Sequence, residues 1–205
     1  MEGYKERLEA LIQSKEALYR DMLSQENADV FESAKDLIVQ GLLNGQRVFF
    51  CGNGGSFAQA QHLAAELSGR FYMDRPPLAA ICLGSSGSMF SAVSNDFGYE
   101  EAFAREIQAL AQPMDILVVL TTSGSSPNVL RAVKMAGEFG MQTLALTSKR
   151  AKDLLRVAEV AYAVDSEDVA RIQEMHLFFG HLLCAQVEAE IFAEPSEDVD
   201  DESIL

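Results

Sequence analysis

Along the first fifth of the chain apolar residues recur at intervals of three and four; beyond it they gather into short unbroken runs. Leu8, Leu11 and Ile12, then Val30, Phe31, Ala34, Leu37 and Ile38, keep helical spacing and predict two helices over residues 3–24 and 27–43, the second ended by Gly45. The runs that follow predict strands at 48–51, 78–83, 116–121, 143–147 and 160–164. They are short, continuous and apolar, as strands covered on both faces must be. Helical patterns separate them at 56–69, 99–111, 127–139 and 151–157, and a long one at 167–192 closes the pattern. Ser126-Pro127 marks a helix start, a capping residue followed by proline at the first helical position. Alternating strands and helices with short links predict an α/β fold: a flavodoxin-like, five-stranded parallel sheet with helices on both faces. With no repeat and no linker, residues 1–193 read as one domain.

The end of the chain breaks the pattern. Six of the twelve residues from Glu194 to Leu205 are acidic and one is proline, which predicts a solvated, disordered tail. The whole chain of 205 residues carries a net charge of −15. That charge argues against binding nucleic acid or an anionic membrane, and any phosphate must be held by local donors. No apolar run reaches the ~18 residues of a membrane span. The N-terminus opens an amphipathic pattern and not a signal peptide. Cys51, Cys82 and Cys184 are an odd number of thiols in strand-like or helix-like surroundings, read as buried and reduced, which implies a cytoplasmic protein.

Two polar clusters follow strand ends, where open parallel sheets bind ligands. Cys51-Gly-Asn-Gly-Gly-Ser56 is a glycine-rich turn leading into a helix, with Ser56 at the N-cap position. Thr121-Thr-Ser-Gly-Ser-Ser126 holds five hydroxyls ahead of another helix, an anion site that uses no lysine. Neither matches a P-loop or a dinucleotide fingerprint. Asn95-Asp96-Phe97-Gly98 reads as an Asx-turn that could add polar contacts. His62 and Glu66, four apart, share a helix face; Gln173 and His181, eight apart, share another. Two such helices facing one another could hold a divalent ion, most plausibly zinc, or supply an acid/base pair. His176 lies on a different face from His181 and reads as structural.

These residues together resemble the phosphoheptose isomerase family of sugar-isomerase (SIS) domain proteins. The resemblance is carried by residues 51–56, His62-Leu-Ala-Ala-Glu66-Leu-Ser-Gly-Arg70, Ser94 to Gly98, Thr121 to Ser126 and Arg171-Ile-Gln173-Glu-Met-His, all in the family's order. It implies conversion of sedoheptulose 7-phosphate to D-glycero-D-manno-heptose 7-phosphate, an early step toward ADP-heptose and the lipopolysaccharide core, by a homotetramer with active sites at subunit interfaces. The N-terminal helices would serve that assembly. Carried over by position, Glu66 and His181 are the acid/base pair, and His62, Glu66, Gln173 and His181 the zinc ligands. Thr121, Thr122, Ser123 and Ser126 hold the phosphate. Asn53, Gly54, Ser56, Arg70, Asn95, Asp96 and Gln173 contact the sugar or order the site. Three departures bear on substrate detail: Phe57 stands where histidine is common, Thr147 to Arg150 lacks an Asp-Gly-Gly turn, and the acidic tail is an addition. Two alternatives remain open. One is a non-catalytic SIS-domain protein that binds the bacterial replication initiator, which shares the Arg171 to His176 string but needs no acid/base pair. The other is a different phosphosugar isomerase or sensor.

Overall fold

The structure is a computed structural model and describes residues 3–192. The acidic segment 194–205 lies outside the described residues. Five strands form one parallel sheet in the order β2-β1-β3-β4-β5. They are β1 (Val48–Gly52), β2 (Ala80–Cys82), β3 (Ile116–Leu120), β4 (Gln142–Ser148) and β5 (Val160–Val164). This is the predicted flavodoxin-like sheet. β1 and β3 are buried at every position, as their unbroken apolar runs require.

Among the described residues eight α-helices accompany the sheet: α1 (Tyr4–Asp21), α2 (Gln25–Leu43), α3 (Gly55–Ser68), α4 (Gly87–Phe97), α5 (Ala102–Leu110), α6 (Pro127–Glu138), α7 (Lys152–Val157) and α8 (Val169–Phe192). One core packs α2, α3 and α8 on the sheet, with Ile38, Leu63, Leu67, Phe179 and Val187 among its members. The second, on the opposite face, joins Phe103, Ile107, Val129, Ala132 and Leu154 of α5, α6 and α7 to Phe49, Leu117 and Val119. α1 contributes no buried residue. Among the described residues no helix is long and apolar enough to cross a membrane.

Two expectations need correction. The segment after β2 is not only a loop: Gly87–Phe97 is helical, so Asn95 and Asp96 stand on its last turn and not in an Asx-turn. Its Ser- and Gly-rich sequence hides the helix. Ser86 caps it by accepting from the Met89 amide, and Phe90 packs on Phe103 with ring centroids 5.5 Å apart. Likewise Ser56 is not an N-cap. Gly54, at φ 56°, turns the chain two residues earlier and caps α3, leaving Ser56 buried inside the first turn. Ser126 does precede α6 with Pro127 at its first turn, but its hydroxyl makes no capping bond.

α3 and α8 approach closely because Gly180 has no side chain. A Cβ there would stand 2.6 Å from a methyl of Leu63, which is itself in the core. Gly180→Ala should therefore lower unfolding free energy by about 1–3 kcal/mol through overpacking, read from the urea midpoint. The cysteines are free and buried as expected. Burial pushes Cys82 up to about 11 and Cys184 up to about 12, and raises Cys51 as well. At pH 8 a thiol reagent should label none of them until denaturant is added.

Candidate active site

The glycine-rich turn and the Ser/Thr turn leave neighbouring strands at the same level, since Gly52 pairs with Leu120 in the β1–β3 register. With strand order 2-1-3-4-5 this is the point where the winding reverses, the usual ligand crevice of an open parallel sheet. One polar network ties the two turns together. Asn53 and Asn128 exchange reciprocal carboxamide hydrogen bonds of 2.8 Å, and the Tyr99 hydroxyl donates to Asn53 Oδ1 at 2.8 Å. Asn128 is fully buried and also accepts from the Val129 amide. Sequence reading missed Asn128 and Tyr99, because only the fold brings them to Asn53.

Within the second turn, Thr121 Oγ1 accepts from the Gly124 amide, and Ser123 Oγ accepts from both the amide and the hydroxyl of Ser125. Ser148, at the end of β4, donates to the Thr122 carbonyl. His176 Nε2 donates to the neighbouring Thr147 carbonyl at 2.9 Å. Burial holds this imidazole down at about 4, so it stays neutral and structural, as its position on α8 predicts. Beside the turn a cavity of about 370 Å³ is lined by Ser123, Gly124 and Ser125 together with Arg150, Lys152, Asp153 and Arg156, of which Arg150 pairs with Glu167 and Arg156 with Asp153. Local basic side chains thus stand next to the hydroxyls in an otherwise acidic chain, a feature the sequence reading did not weigh.

The candidate acid/base and metal-binding groups lie further along α3. The Nε2 atoms of His62 and His181 are 2.8 Å apart, and Glu66 Oε1 is 3.2 Å from His62 Nε2. One ligand atom from each of the three residues lies within 4.8 Å of the others. Two ligands on one cation with ~2 Å bonds stand roughly 3.3 Å apart in a tetrahedral site, so this donor set could hold a divalent ion. Burial, then the neighbouring His62, pulls the His181 imidazole below its ordinary range, against the opposing pull of Glu66. A depressed histidine is a free base at neutral pH, as metal binding and proton transfer both need.

The other sequence-predicted residues are distributed as follows. Gln173 sits at the start of α8, where its carboxamide covers Gly55 and its carbonyl accepts from Gln59. Gly55 lies seven residues, about 10 Å of helix rise, before His62 on α3. Thr121 is buried, whereas Ser123 is exposed. Arg70 is exposed just beyond the C-terminus of α3. Asn95 and Asp96 are exposed and hydrogen bonded to each other at 2.8 Å.

With this geometry in view, comparison with known proteins places the chain in a class. Residues 12–148 match the model of the SIS domain, and the chain belongs to the SIS domain family. Within that family it is similar to phosphoheptose isomerases. That of Maridesulfovibrio salexigens is 45% identical over 163 residues, covering 80% of this chain and 79% of the relative. That of Thermodesulfovibrio yellowstonii is 38% identical over 177 residues, covering 86% and 88%. The solved phosphoheptose isomerase of Neisseria gonorrhoeae superposes with a TM-score of 0.82 at 32% identity, covering 91% of this chain and 100% of that one.

Asn128→Ala would strand the Asn53 carboxamide in a part-buried site. It should destabilise the fold by about 1–3 kcal/mol in chemical denaturation, whereas an exposed change such as Asn95→Ala should not.

Proposed function

We propose that the chain is a phosphoheptose isomerase, interconverting sedoheptulose 7-phosphate and D-glycero-D-manno-heptose 7-phosphate in heptose biosynthesis. The observation that carries the reading is the convergence of two imidazoles and a carboxylate, His62, His181 and Glu66, on facing helices. A phosphosugar sensor, or a protein that only binds a partner, needs no such cluster.

Aldose–ketose isomerisation moves a proton between C1 and C2 through an enediol or enediolate. It needs a base at carbon and a donor at the oxygen that becomes charged. Glu66 takes and returns the carbon-bound proton; His181 moves the proton at the oxygens. The hydroxyls of Thr121, Thr122, Ser123 and Ser126, with the N-terminus of α6, hold the phosphate. Asn53, Gly54, Ser56, Arg70, Asn95 and Asp96 order or contact the sugar. The two functional halves stand apart along α3, which suits a substrate with its phosphate and its carbonyl at opposite ends.

The donor set of two histidines and one glutamate fits zinc, a pattern of three protein ligands that leaves a position open. Gln173 is the fourth candidate ligand, reached by turning its side chain away from Gly55. Zinc bound there would polarise the carbonyl and the adjacent hydroxyl. Assembly as a homotetramer, in the cytoplasm, completes the reading. It is supported by α1, which leaves Tyr4, Leu8, Leu11, Ile12 and Tyr19 exposed, and by an apolar groove of about 670 Å³ between α1, α2 and α8.

The test is turnover of sedoheptulose 7-phosphate by purified protein with added zinc. Glu66→Gln and His181→Ala should each lower kcat by ~10²–10⁴-fold with the fold intact. Well-folded, zinc-loaded wild type that leaves the sugar unchanged would sink the substrate assignment.

A further inference from the structure

We infer that Arg75, Glu188 and the Phe71 ring they hold form a positioning clamp that sets the geometry of the His62–Glu66–His181 cluster. The inference rests on the reading of that cluster as the reacting centre. None of the three residues belongs to a sequence motif.

Arg75 and Glu188 form an ion pair of 2.7 Å in which each side chain is only 1% exposed. A buried pair of this kind is weak evidence for stability, because desolvation offsets much of its attraction. What it provides here is attachment. Arg75 Nη2 donates to the carbonyl of Glu66 itself at 2.9 Å, and Nη1 donates to the carbonyls of Leu67 and Pro76, each at 3.0 Å. The guanidinium thereby caps the last turn of α3, whose carbonyls have no partner within the helix. The Glu188 carboxylate accepts from three successive amides, Phe71 at 3.1 Å, Tyr72 at 2.7 Å and Met73 at 2.9 Å. Burial raises this carboxyl, but those amides and Arg75 outweigh it and leave it below its ordinary range, hence ionised.

Glu188 lies seven residues after His181, two turns along the same face of α8. The loop it holds returns to the cluster: the Phe71 ring stacks on the His181 ring with centroids 5.6 Å apart and planes 24° apart. One buried pair therefore joins the helix carrying His62 and Glu66, the helix carrying His181, and the ring that limits how His181 can turn. Outer-shell groups that orient metal-ligating side chains act in this way.

The experiment compares wild type with Arg75→Lys and Phe71→Leu. Lysine keeps the charge but cannot span Glu188 and three carbonyls at once. Phe71→Leu leaves every hydrogen bond of the clamp in place and removes only the stacked ring, so it decides the question if Arg75→Lys does not fold. Zinc affinity of the metal-free protein is measured by chelator competition, the fold by circular dichroism, and kcat and KM with sedoheptulose 7-phosphate. Each variant should fold and bind zinc about 10–100-fold more weakly. kcat should fall while KM moves much less, because the phosphate turn lies at the other end of α3. Folded variants with wild-type zinc affinity and kcat would overturn the inference and leave the clamp a structural feature. Zinc affinity is read without substrate, so a wild type that binds zinc but ignores this sugar defeats the substrate assignment alone. A wild type that binds no zinc moves the decision to kcat, and one that does neither overturns the clamp as well.

Discussion

The close contact between Gly180 and Leu63 is the constraint on which the His62–Glu66–His181 cluster depends. His62 precedes Leu63 and His181 follows Gly180, so the packing that buries the leucine also brings the two imidazoles together. A larger residue at 180 would force the Leu63 side chain to move, and interiors packed at crystal-like density absorb such changes poorly. The cluster is thus a consequence of core packing expressed one residue away.

Around this contact the fold uses hydrogen bonds between distant polar groups to fix the parts that hydrophobic packing leaves free. The Asn53–Asn128 pair locks the turn after β1 to the start of α6. Ser148 and His176 link the end of β4 to the Thr121–Ser126 turn on one side and to α8 on the other. Arg75 and Glu188 do the same at the far end of α3 and α8. Apolar contacts tolerate sliding, whereas directional bonds in a dry interior do not, so these networks set the position of loops whose own sequences are flexible.

Charge acts locally. A chain with a net charge of −15 repels a phosphorylated ligand at long range, yet hydroxyls, helix-start amides and the basic residues Arg150, Lys152 and Arg156 gather at one edge of the sheet. Short-range donors in a crevice outweigh a screened global field, since the Debye length in physiological salt is only ~8 Å.

Much of this was legible in the chain itself. Buried strands such as Val48–Gly52 and Ile116–Leu120 announce themselves as apolar runs, and their alternation with helices determines a parallel sheet, because only crossover connections can join parallel strands. The spacing of His62 and Glu66 determined that they share a face. What that spacing could not determine is which partner the face meets. Eight-residue spacing put Gln173 and His181 on one side of α8; tertiary packing set His181 against His62 and laid Gln173 over Gly55. Helix α4 escaped notice because its residues are weak helix formers held by a cap and by contacts with Phe103 and Tyr99. Asn128, Arg75 and Glu188 were invisible for the same reason: their partners are 75 to 117 residues away along the chain, and periodicity reports only on neighbours. Local pattern fixes which elements form and which faces are apolar; the pairing of distant polar groups is decided only when those faces close on one another.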